Sequence, residues 1–173
     1  MSEVEDAVVA RDDVLGDLYR RSVGRAEALA RALTGDPHLA QDIAHEAFIR
    51  VAGRFRHLRD RDAFESYLSR TVVNLCRSHF RRAGIERRGM ERVGTTGTVV
   101  PAPAPEERDS LWTAIGALPY RQRAAVVLRY YEDLSEEQTG VILRCSARAV
   151  NALVSRAMAT LRQTIETTEE PLT

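Results

Sequence analysis

The stretch Leu118–Leu161, LPYRQRAAVVLRYYEDLSEEQTGVILRCSARAVNALVSRAMATL, decides the fold of this 173-residue chain. Ser135 with Gln138 three residues on is a capping box, in which each side chain satisfies the other residue's backbone N–H at a helix start. The helix it opens carries Val141, Ile142 and Leu143. Arg144-Cys145-Ser146 breaks that helix, and Ser146 can cap a second one. There Val150, Val154, Met158 and Leu161 recur at steps of four, four and three, forming one apolar stripe. The other face offers Arg148, Asn151, Ala152, Ser155 and Arg156. Two helices joined by a tight turn, the second polar and basic outward, suit a DNA major groove.

Outward from this stretch, the charge is segregated. The formal net charge is zero, yet residues 77–92 hold six arginines against Glu86 and Glu91, and residues 144–162 hold four arginines and no acid. The first thirteen residues hold five acids against Arg11. Local basic surfaces within a neutral total point to polyanion binding at defined places. All 25 cations are arginine, a bias read here as Arg-rich coding in a G+C-rich genome. Cys76 and Cys145 form no CxxC, and no secretory signal or apolar run of about 20 residues is present. A cytoplasmic setting without membrane insertion is therefore expected. No glycine-rich phosphate loop, HExxH or paired metal-ligand motif occurs, so no catalytic residue, metal or cofactor is expected. His45 beside Glu46 reads as a surface pair.

The N-terminal half is helical too. Val14, Leu18, Ala26, Leu29 and Leu33 outline an amphipathic helix ending at Gly35, and Asp36-Pro37 then supplies an N-cap and a first helical residue. Leu39, Ile43, Ala47, Val51 and Phe55 line the next helix. After a polar loop, 56–61, Asp62 and Glu65 form another capping signature for a helix with Phe64, Leu68, Val72 and Leu75 inward. Residues 93–107, with three prolines and two glycines, read as a flexible linker. Leu111, Ile115 and Leu118 begin a further helical unit, Pro119 breaks it, and Ala124, Val127, Leu128 and Tyr131 continue on a new helix. The expectation is an all-α chain: a bundle over 12–92, a linker over 93–107 and a helix-turn-helix unit over 108–165.

This order resembles the sigma-70 family of RNA polymerase sigma factors, in the two-domain extracytoplasmic-function subgroup. AQDIAHEAFIRV (40–51) resembles the family segment that docks on the clamp helices of the polymerase, and FESYLSRTVVNLCRSHFRR (64–82) the segment that melts and reads the −10 element. DSLWTAIGALPYRQRAAVVLRYYEDLSEEQTGVIL (109–143) is close to the family's −35-binding unit. The resemblance implies a transcription initiation factor whose partners are core RNA polymerase (clamp helices and flap), promoter DNA and an anti-sigma factor. It assigns Asp42, Glu46 and Ile49 to polymerase docking. It assigns Asn74 and Tyr67 to the −10 bases, with the loop around His57, Leu58 and Arg59, and Arg77, Arg81 and Arg82 to the phosphates. Arg148, Asn151, Ala152, Ser155 and Arg156 would meet the −35 element.

The recognition helix departs from the family pattern: its usual Lys, Ser and Arg are replaced by Asn151, Ala152 and Leu153, while Arg148 is gained. Asn151 can bond adenine bidentately and Ala152 can touch a thymine methyl. Fewer cations imply a shallower salt dependence. Arg144 stands where a turn glycine is common, at a cost of roughly 1 kcal/mol if its backbone is left-handed. Gly140 is expected to allow close packing of the two helices. Two other readings stay open. One is a helix-turn-helix regulator that does not act through polymerase; the other is a sigma-like protein held mainly by an anti-sigma partner.

Overall fold

A computed structural model describes the backbone of residues 2–54, 61–92 and 110–169, and the side chains within 15–54, 63–84 and 111–164. Three helices make the first unit: α1 (Ser2–Thr34), α2 (Pro37–Arg54) and α3 (Arg61–Arg92). Gly35 takes φ 72°, the left-handed conformation that ends α1. Asp36 then caps α2, its Oδ1 accepting from the His38 and Leu39 N–H groups at 2.9 and 3.1 Å. The expected apolar faces meet: Leu29 and Leu33 of α1, Ile43, Ala47 and Val51 of α2, and Phe64, Leu68 and Val72 of α3 are buried. Each large side chain so buried contributes about 1.5–3 kcal/mol. Phe55 and the linker 93–107 lie outside the described residues.

The proposed Asp62–Glu65 cap is corrected. Asp62 is already helical in α3, and the Glu65 carboxylate accepts from Ser22 Oγ at 2.5 Å. Ser22 is fully buried in α1, so this carboxylate ties two helices together rather than finishing one. His45 is corrected likewise. Its Nε2 hydrogen-bonds the Tyr19 hydroxyl, whose ring it stacks on with centroids 5.8 Å apart, while Glu46 pairs with Arg50 one turn on.

The second unit contains α4 (Ser110–Ala117), α5 (Tyr120–Val126), a π-helical segment (Val127–Tyr131), α6 (Glu136–Leu143) and α7 (Ala147–Glu169). The π segment was not foreseen. The Glu132 N–H reaches back five residues to the Val127 carbonyl at 3.0 Å, and the extra residue rotates the chain beyond it about the helix axis. Tyr131 therefore leaves the core face of Val127 and Leu128 and is 49% exposed. On α7 the apolar stripe is broader than the one outlined by Val150, Val154, Met158 and Leu161. Val150 and Leu161 are buried with Ala157, whereas Leu153, Val154 and Met158 are half-buried at the edge.

The two units pack on each other: α6 lies against α3, and α5 and the π segment lie against α1. The Tyr120 hydroxyl donates to the Val73 carbonyl at 2.7 Å. Arg123 bonds the Leu33 carbonyl at 2.7 Å and lies over the Phe80 ring, 5.1 Å from its centroid. Arg25 pairs with Glu132 at 2.8 Å, the latter's side chain only 4% exposed.

Candidate nucleic-acid interface

Polar residues recur on α3 at Tyr67, Thr71, Asn74 and Ser78, steps of four, three and four, on a face turned away from Phe64, Leu68 and Val72. Together with Arg50, Val51 and Arg54 of α2 and with Leu75 they line one groove of about 470 Å³. Its lining combines apolar Val51 and Leu75 with a phenol, an amide, two hydroxyls and two guanidiniums. Tyr67 is 50% exposed, so its ring is not packed in the core. Flat rings, amides and nearby cations are what an unstacked base and its phosphates require.

Asn74 and Tyr67 thus line the same groove. Arg77, Arg81 and Arg82 are exposed farther along α3, the last two within about 12 Å of axial rise from Asn74. Leu58 and Arg59, with His57, lie outside the described residues. Sequence reasoning missed Arg50, Arg54, Thr71 and Ser78. The α3 pair was signalled by its spacing from Asn74; the arginines of α2 face the groove only because of how α2 crosses α3.

Asp42, Glu46 and Ile49 are exposed together on α2, with Ile49 71% exposed. Arg50 connects this patch to the groove, since it pairs with Glu46 and also lines the groove wall.

The second surface is α7. The capping box forms in both directions: Ser135 Oγ accepts from the Gln138 N–H at 3.1 Å, and Gln138 Oε1 from the Ser135 N–H at 2.8 Å. Ser146 Oγ accepts from the Ala149 N–H at 3.2 Å, capping α7. Between the helices Arg144 takes φ 54° and ψ 54°, the left-handed conformation, at a cost near 1 kcal/mol. Gly140 is needed for the turn: a Cβ there would stand 2.6 Å from the Cys145 carbonyl oxygen. Arg148, Asn151, Ser155 and Arg156 are exposed on one side of α7, with Ala152 half-buried beside them. Asn151 is not idle, as its Nδ2 donates to Glu136 Oε1 at 3.0 Å. Among the described residues no cluster of His, Cys, Asp and Glu could hold a metal ion, and no helix is long and apolar enough to cross a membrane.

Comparison with known proteins matches both units. Residues 18–85 match the model described as sigma-70 region 2, and residues 108–161 that of sigma-70 region 4. The chain is 32% identical over 146 residues to the RNA polymerase sigma-E factor of Streptomyces antibioticus, covering 83% of this chain and 81% of that one. It is 36% identical over 157 residues to the ECF RNA polymerase sigma factor SigE of Mycolicibacterium smegmatis, covering 84% and 59%. In fold it is similar to the sigma factor RpoE of Bartonella quintana, solved in complex with the anti-sigma factor NepR. The TM-score is 0.67 at 20% identity, over 86% of this chain and 94% of that one.

Proposed function

The chain belongs to the sigma-70 family of RNA polymerase sigma factors, and from that premise we propose how its surfaces divide the work of opening a promoter. As a sigma factor of the extracytoplasmic-function group, it is a transcription initiation factor that binds core RNA polymerase and promoter DNA. The first unit docks through Asp42, Glu46 and Ile49 and opens the −10 region. The groove receives a base turned out of the stack: Asn74 supplies hydrogen bonds to its edge and Tyr67 a flat surface. Arg77, Arg81 and Arg82, joined by Arg50 and Arg54, hold the phosphates of the displaced strand. The helix-turn-helix unit lays α7 in the major groove of the −35 element. The work is binding and strand separation, and no covalent step is assigned to it. The sigma factor RpoE of Bartonella quintana, similar in fold, was co-crystallised with the anti-sigma factor NepR, which supports an inhibitor of that kind for this chain as well.

The groove carries this reading, because it unites an amide, a ring and two cations that a plain helix-turn-helix regulator does not need. The test is run-off transcription with purified core polymerase, paired with permanganate footprinting of unpaired thymines. Asn74→Ala is expected to abolish −10 opening while binding to core polymerase stays intact; an unchanged footprint would remove Asn74 from the role. Arg156→Ala is expected to weaken promoter affinity by about tenfold or more, the loss of one good groove contact. Full retained affinity would count against α7 as the −35 reader.

A further inference from the structure

Asn151 stands exposed near the start of α7, and its amide nitrogen donates to a carboxylate on the neighbouring helix. That carboxylate, Glu136, is the first residue of α6, held in place by the two-way capping box of Ser135 and Gln138. From this geometry we propose that Glu136 is a positioning residue for base readout: it makes Asn151 select adenine and reject guanine. The proposal rests on the reading of α7 as the groove-binding helix and deepens it.

The argument is one of donors and acceptors. An ionised carboxylate accepts hydrogen bonds and donates none, so the partner atom of Asn151 must be its nitrogen. The amide is thereby fixed in one sense, with Nδ2 toward α6 and Oδ1 turned from it. Nitrogen has two hydrogens and Glu136 occupies one. What remains for DNA is one N–H beside one carbonyl oxygen. In the major groove adenine offers one acceptor, N7, beside one donor, the N6 amino group, which is the complementary pair. Guanine offers two acceptors, N7 and O6. A free asparagine can turn both its hydrogens toward guanine, but one already committed to Glu136 cannot, and its Oδ1 would face O6 unpaired. A buried acceptor left unmade is what makes such a mismatch costly.

Glu136 also carries a negative charge close to the surface that meets phosphates. Removing it should tighten binding to every duplex alike, whatever the sequence. Selection at one base pair and affinity for all sequences are thus separable readouts, and only the first reports positioning.

The experiment uses the full chain assembled with core RNA polymerase and a duplex library randomised through the upstream element. The base pair facing Asn151 is the one whose preference Asn151→Ala erases. Wild type is expected to enrich adenine there over guanine. Glu136→Ala is expected to lower that ratio by about tenfold while preferences lost in Arg148→Ala or Arg156→Ala stay in place. Glu136→Gln keeps an acceptor oxygen without the charge and is expected to retain most of the ratio. Melting curves of the variants confirm that the helix-turn-helix is intact. An adenine-to-guanine ratio unchanged in Glu136→Ala overturns the proposal, as does a loss equally large in Glu136→Gln and Glu136→Ala. Enrichment of any base other than adenine at that position overturns it too. Should Arg148→Ala, Asn151→Ala and Arg156→Ala all leave every position unchanged, α7 is not the reader and the proposal falls with that reading. The silent Arg156→Ala distinguishes this failure from the others.

Discussion

Cys76 is enclosed where α3 meets the second unit, and burial pushes its thiol up to about 12, only partly opposed by its own backbone hydrogen bond and by Arg123. The folded protein therefore keeps a proton that the unfolded chain releases near the thiol's ordinary value of 9.0. Between these values the native state binds more protons, so stability is whole below 9.0 and falls as pH rises toward 12. Tyr120 works in the same direction, its phenol raised by burial first and by neighbouring Cys76 second. Denaturant titrations at about pH 8 and about pH 10.5 should show the loss, and Cys76→Ala should flatten it. Equal slopes for the two proteins would remove Cys76 as a cause. A thiol reagent should modify half-buried Cys145 in the native protein and reach Cys76 only on unfolding.

At the scale of elements, the turn between α6 and α7 brings two opposite backbone demands into five residues. Gly140 must lack a Cβ because the Cys145 carbonyl closes over it and the Cys145 N–H returns to the Gly140 carbonyl at 3.0 Å. Arg144 adopts the left-handed conformation in spite of its side chain. Gly140→Ala should cost about 1–3 kcal/mol, since the added methyl meets backbone and not a side chain that can swing aside. Thermal unfolding and duplex binding should decline together, because the same turn sets the angle of α7. A variant with unchanged melting would show that the turn relaxes freely. The π segment is the other decisive element. By shifting the helical phase it turns Tyr130 and Tyr131 outward and delivers Glu132 inward to Arg25.

Over the whole molecule, the two units share one apolar core, and polar links join them as well: Tyr120 to the Val73 carbonyl, Arg123 to the Leu33 carbonyl, and Arg25 to Glu132. Among the described residues, three buried polar atoms, Gln122 Oε1, Arg123 Nε and Thr139 Oγ1, lack a hydrogen-bond partner. Tyr120→Phe removes one hydrogen bond and should weaken the packing of the units by about 1 kcal/mol. Combined with Arg25→Ala, which leaves the Glu132 carboxylate buried and uncompensated, it should enlarge the radius of gyration in small-angle scattering. An unchanged radius would mean that apolar packing of α6 on α3 suffices to hold the units together.

The sequence by itself determined the α-helical order, the caps at Asp36, Ser135 and Ser146, and the family, because periodicity, capping boxes and helix-ending glycines are local and act through neighbouring backbone. It also made Asn74 and Tyr67 legible through the family resemblance, and the outward face of α7 through a 3.6-residue repeat that separates a polar face from an apolar one. Only the tertiary structure decided what those faces meet. That Arg50 and Arg54 join the Asn74 groove depends on how two helices cross. The partners of Glu65, His45 and Asn151 lie 15 to 43 residues away in the chain, where no local pattern reaches. Two of the links between the units, from Tyr120 and Arg123, end on main-chain carbonyls, and every residue type supplies those alike.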